Sequence, residues 1–141
     1  MKKLLFLLFF IILILSACSP GNEKIVTINN TKIKIEIADT PELRYQGLSN
    51  KEKLCADCGM LFVFPNKEMK TFVMRDMNFP IDIIYINDDK IVEINKNAPS
   101  EGSDPVMRYS SDLPANYVLE VNSGFCEENK IEIGDEIRYN F

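Results

Sequence analysis

Short apolar runs alternate with polar punctuation from residue 25 onward. Ile25 to Ile28 and Lys32 to Ile37 read as two strands. In Lys32-Ile33-Lys34-Ile35-Glu36-Ile37 the isoleucines share one face and the charges the other, the period of two that marks a half-buried strand. Asn29-Asn30 between them predicts a two-residue turn, because asparagine tolerates positive φ. Thr40-Pro41-Glu42 is a helix start, with a side-chain cap, a proline suited to the first helical position and an acid that favours the dipole. Gly47 supplies a left-handed stop. The expected helix has about two turns, Leu43 facing inward and Arg44 outward, with residues 49 to 54 as an irregular or helical continuation.

Gly59 to Phe64 is apolar on both faces until Pro65, which predicts a central strand buried on two sides. Thr71 to Met77 is a further expected strand. Ile81–Ile86 and Lys90–Ile94 flank Asn87-Asp88-Asp89 as a hairpin. Asn95 to Pro114, with three prolines, one glycine and few aliphatics, is expected to be the long loop. Tyr117 to Val121 reads as a strand, Ser123 to Asn129 as a short helix capped by Ser123, and Ile131 to Tyr139 as a strand pair bent at Gly134-Asp135. The pattern predicts a mainly β (α+β), mostly antiparallel domain with one or two short helices.

The first residues follow a different pattern. Lys2 and Lys3 precede twelve unbroken apolar residues, Leu4 to Leu15, too few for a bilayer core that needs roughly 20 helical residues. A positive start before a short apolar core is the layout of a secretory signal peptide. Leu15-Ser16-Ala17-Cys18 resembles the lipobox of bacterial lipoproteins. That resemblance implies cleavage before Cys18, lipid on its thiol, and an exported protein anchored on the periplasmic or extracellular face of a membrane. The alternatives are an uncleaved anchor, or ordinary cleavage that leaves Cys18 as a free thiol. The expected organisation is a leader at 1–17, a tether at 18–24 and one globular domain at 25–141.

Charge and composition narrow the functions. The 141 residues carry 16 basic and 21 acidic side chains; without Lys2 and Lys3, 14 face 21, a net of −7. No nucleic-acid partner is expected, since phosphate backbones are held by clustered positive charge. The chain contains no histidine, which excludes Ser-His and Cys-His couples, imidazole metal ligands and the ordinary proton shuttle of neutral pH.

Six ordered blocks carry a family resemblance: Arg44-Tyr45-Gln46-Gly47-Leu48, Gly59 to Phe64, Phe72-Val73-Met74-Arg75-Asp76, Pro80 to Ile86, Val118-Leu119-Glu120 and Gly134-Asp135. Together they resemble domain-of-unknown-function family 192 over about residues 32 to 139. The resemblance implies a compact, mainly β, barrel-like fold in bacterial and archaeal proteins, alone or behind export signals, and no established activity. Val73 stands where that family commonly has Trp, and Asp76 where it commonly has Asn. Any pocket lined by that block is therefore expected to be less aromatic and more acidic. Cys55-Ala-Asp-Cys58 falls outside the pattern.

Three sets of residues are chemical candidates. Cys55, Cys58 and Cys126 are thiols in what the leader implies is an oxidising compartment. A disulfide, either Cys55–Cys58 or one of them with Cys126, stands beside a redox role. Asp57 between the thiols works against a lowered thiol pKa. Zinc would want four ligands, and three thiols without histidine fall short, so no metal and no cofactor is expected. Met69, Met74 and Met77 suit copper(I) or an irregular core equally. Asp76, Asp82 and Glu120 interrupt apolar runs, where a charge is costly unless paired. Arg44 and Arg75 are the available partners, so the five form a candidate ligand or ion-pair cluster.

No complete catalytic set is present. The expected function is a lipid-anchored envelope domain that binds a small molecule or an envelope protein. A thiol–disulfide redox protein using Cys55 and Cys58, or a purely structural envelope protein, are the alternatives.

Overall fold

The computed structural model describes residues 23–141; the leader and Cys18 lie outside the described residues. The element order is β1 (Ile25–Ile28), β2 (Thr31–Ala38), α1 (Pro41–Gln46), β3 (Cys58–Glu68), β4 (Thr71–Phe72), β5 (Ile81–Asn87), β6 (Lys90–Ala98), β7 (Tyr109–Ser110), β8 (Ala115–Asn122), α2 (Phe125–Glu128) and β9 (Ile137–Asn140).

Seven strands form one curled sheet in the order β6-β5-β8-β3-β2-β1-β9, and β4 pairs with β7 in a separate ribbon. The β1–β2 hairpin turns where expected, with Asn29 at φ 55°. All strand pairings are antiparallel except β2–β3, whose connection crosses through α1, as a parallel pair requires. The two edges of the sheet meet at one point. Lys90 bridges Glu136, and beside it the Ile91 and Ile137 amides donate to Asp135 and Asp89 carbonyls at 3.0 and 2.8 Å. The sheet is thus a half-barrel pinned shut at one end.

Alternation divides the side chains of the central strands between two cores. Leu61, Ile84, Ile86, Leu119 and Val121 point into the half-barrel, where Phe125 and Cys126 of α2 plug them. Met60, Phe62, Ile83, Tyr85 and Val118 point outward and are covered by Leu48, Met74 and Met77. Burial on both faces explains the continuous apolar sequence of Gly59 to Phe64.

Several expectations are corrected. β3 runs through Pro65 to Glu68, because its register with β8 breaks between Val63 and Glu68, the irregular setting in which a strand tolerates proline. Thr71 to Met77 is a strand only over Thr71–Phe72. Asp76 turns left-handed at φ 54°, and the Asp76 and Met77 amides donate to Gly102 and Glu101 carbonyls instead of a ladder. Met74 and Met77 both lie in the outer core.

The expected loop from Asn95 contains the end of β6 and the short β7. Only Ile137–Asn140 of the last strand pair is a strand, since the Glu132 amide donates to the Asp135 carboxylate and the Gly134 amide to Ile91. Leu43 is 47% exposed rather than inward, and Arg44 lies half-buried against the sheet, because the six-residue α1 buries none of its own residues.

Candidate functional site

On the outer side of the sheet, α1 and the segment after β4 leave a cavity of about 290 Å³ over β3 and β8. Its floor holds Glu120 of β8, whose neighbours across the sheet are Met60 and Ile83. Those apolar partners leave the carboxyl nothing to pair with. It is 5% exposed and makes no ion pair or side-chain hydrogen bond among the described residues. Burial pushes its pKa up to about 8, the desolvation behaviour of a carboxyl in an apolar setting.

The walls are aromatic. Phe72 packs edge-on against Phe62 and Phe64, at centroid distances of 4.9 and 6.3 Å. Gly47 lets α1 end against this wall. At φ 51°, a Cβ there would also sit 3.3 Å from the Phe62 ring, so backbone conformation and space both call for glycine. Beneath the floor, a Cβ on Gly59 would fall 2.8 Å from the Glu120 carbonyl oxygen; glycine lets β3 lie close to β8 there.

Two guanidinium groups line the cavity. One Arg44 nitrogen donates to the carbonyls of Asp39 and Val63 at 2.7 and 2.8 Å, and the group lies 5.2 Å from the Phe64 centroid. Val63 is the last regularly paired residue before the register break in β3. Arg75 donates to the Tyr45 carbonyl at 2.6 Å and stacks 4.0 Å from the Tyr45 centroid, the planar stacking to which a guanidinium is suited. Lys70, itself buried, lies 4.4 Å over the Phe64 ring.

Of the five charged candidates, the structure gathers Arg44, Arg75 and Glu120 around this cavity. Asp76 sits beside Arg75, with a nitrogen-to-oxygen distance of 3.8 Å. Asp82 lies elsewhere, on the inner face of β5. Its carboxylate accepts from the backbone amides of Asn97, Gly124 and Cys126 at 2.8, 3.3 and 3.0 Å, and it makes no ion pair among the described residues. It therefore caps α2 in place of Ser123: the residue before that helix is the left-handed Gly124, with no side-chain cap of its own.

The thiols are resolved as well. Cys55 and Cys58 form a disulfide at the start of β3, and the Asn122 side chain donates to the Cys55 carbonyl at 2.8 Å. Cys126 is a buried free thiol, pushed up to about 12 by burial and then by the Asp82 carboxylate beside it. Cys55, Asp57 and Cys58 lie close enough for a shared metal, but the disulfide leaves no thiolate to ligate one.

Sequence reasoning missed the aromatic lining and Lys70. Phe62, Phe64 and Phe72 read as core residues, and only the fold turns them toward one cavity. Val73 lines the cavity and makes that wall smaller than Trp would.

The fold and its cavity define a small half-barrel β domain with a concave, aromatic-walled site on its outer face. The chain belongs to the DUF192 family, described as an uncharacterized ACR, which matches residues 24–139. A candidate transcription regulator from Sinorhizobium meliloti superposes with a TM-score of 0.77 at 27% identity, over 83% of this chain and 93% of that one. A protein of unknown function from Novosphingobium aromaticivorans superposes at 0.74 with 29% identity, over 81% and 83% of the two chains. No curated protein matches this sequence.

Proposed function

We propose that this protein is a lipid-anchored envelope module that binds a small ligand in the cavity above β3 and β8. The observation that carries the reading is Glu120, a residue only 5% exposed whose carboxyl lines the floor of a concave site and has no protein partner among the described residues. A concave, mostly apolar site with a few convergent polar groups is the usual form of a small-molecule pocket. The cavity does not fit a purely structural envelope protein, whose surface has no need of such a recess.

The anchor rests on the leader and on the lipobox-like Leu15-Ser16-Ala17-Cys18. No helix among the described residues is long and apolar enough to cross a membrane. The acidic chain gives no support to carrying a transcription-regulator role that acts through nucleic-acid contacts over to this protein. The redox alternative keeps one favourable feature, an exposed Cys55 in a disulfide with Cys58. Cys58 opens a strand rather than a helix, so neither thiol gains the helix-terminal stabilisation that activates a thiolate.

A fragment screen by thermal shift on the full chain, run beside Val73→Trp, tests the binding reading. Compounds that stabilise the native chain should lose their effect when Trp fills the cavity; equal stabilisation of both would remove the cavity as the site. Intact mass spectrometry of the membrane fraction tests the anchor and should show a chain beginning at acylated Cys18. An untrimmed, unacylated polypeptide would end it.

A further inference from the structure

The charges around the cavity do not cancel one another, and that selects among ligands. Only one nitrogen of Arg44 is engaged by the protein, through the Asp39 and Val63 carbonyls. Its remaining N–H groups have no carboxylate within 4.0 Å among the described residues. Arg75 spends one nitrogen on Tyr45, and its one ion-pair contact among the described residues is with Asp76, at 3.8 Å. Each group is already tied to a backbone carbonyl and lies beside an aromatic ring, so less side-chain entropy remains to be lost when it binds.

Lys70 adds a third positive charge over Phe64, with Glu68 at 3.4 Å as its ion-pair partner. Glu120 does not neutralise any of them. Burial raises its pKa, and it forms no ion pair with either guanidinium among the described residues. At neutral pH the site therefore offers unspent guanidinium donors at its rim, aromatic walls, and a protonated carboxyl at its floor. A cationic ligand would meet repulsion at the rim and an uncharged acid below. An anion with an apolar body meets donors at both levels.

Building on the binding reading, we infer that the cavity takes a small organic acid, carboxylate or phosphate, with an aromatic-sized body. Its anionic group pairs with Arg44 and Arg75, its body lies against Phe62, Phe64 and Phe72, and its inner end accepts a hydrogen bond from Glu120. Paired guanidinium donors suit carboxylate and phosphate oxygens alike, so the cavity chemistry leaves both sources open. A body of one ring is what about 290 Å³ accommodates.

The pH dependence follows from the same arrangement. Glu120 donates only while protonated, so affinity falls as pH rises through about 8. The other charged groups facing it do not reverse this trend. Arg44 and Arg75 stay charged throughout, and burial with the nearby Glu120 charge pushes the Tyr85 phenol of β5 still higher.

Titrations of the full chain with 4-hydroxyphenylacetate, 4-hydroxyphenyl phosphate, 4-hydroxybenzyl alcohol and 4-hydroxybenzylamine, whose ring hydroxyl supplies the inner acceptor, test the inference. The two anions should bind and the amine should not, and whichever anion binds more tightly identifies the source. Arg75→Gln and Arg44→Gln should each weaken anion binding by about tenfold or more, the scale of a lost charge-assisted contact. Arg75→Gln keeps the test open if Arg44→Gln loosens α1. Glu120→Gln, which keeps a donor, should retain binding near pH 6 and flatten the loss at higher pH. Binding of the amine in preference to the anions, or affinity rising above pH 8, would overturn the ligand class while leaving the binding site standing. Silence from all four probes together with an empty fragment screen would overturn both.

Discussion

Two carboxylates within apolar strands meet opposite fates at the scale of single residues. Asp82 finds three backbone amides, so its burial is compensated and it fastens α2 to the sheet. Glu120 finds none, and its pKa rises from the model-peptide value of 4.5 to about 8. Because the folded carboxyl holds its proton more tightly than the unfolded one, its favourable contribution is complete below about pH 4.5 and is lost as pH rises through about 8. Glu120→Gln removes this titration. The stability of the native chain relative to that variant should fall between about pH 5 and about pH 9, by at most on the order of 4 kcal/mol. Denaturant melts at both pH values measure it; a difference that stays flat would mean that the carboxyl titrates as an exposed one. Sequence placed both acids among apolar neighbours, but which one would find amides depended on where the α2 backbone arrives.

At the scale of elements, the Cys55–Cys58 disulfide fastens the turn that delivers the chain into β3, beside the amide contact from Asn122. Its covalent loop is very short, and the loop-entropy argument gives such a bridge only about 2 kcal/mol. Reduction with dithiothreitol, or the Cys55→Ser, Cys58→Ser double variant, should lower stability by about that amount while the far-ultraviolet circular dichroism stays native. Wholesale unfolding on reduction would assign the bridge a larger part. The β1–β2 hairpin, α1 and the β5–β6 hairpin were legible because turn residues, a capping set and period-two patterning are local signals. The segment Thr71–Met77 was misread because its apolar residues bury through a left-handed turn against the 101–102 loop, and no local pattern distinguishes that from a strand.

Closure is a property of the whole molecule. The half-barrel is sealed where the Asp135 region meets Ile91, and the Asp135 carboxylate also accepts from the Glu132 amide and the Asn29 side chain, both at 2.9 Å. Asp135→Ala should cost about 1 to 2 kcal/mol. It should also speed amide exchange at Ile91 and Ile137, which donate across the seam, and leave Leu61 and Leu119 in the central strands protected. Uniform exchange across the sheet would show that the seam and the central strands open together. By itself, the amino-acid sequence determined the β-rich class, the family resemblance and the hairpins, because periodicity, turn chemistry and ordered blocks are written along the chain. Only the tertiary structure decided that β2 runs parallel to β3, that Asp82 serves α2, and that Arg44, Arg75 and Glu120 surround one cavity. Those outcomes depend on which distant strands become neighbours, and burial, which sets the state of Glu120, exists only once they have.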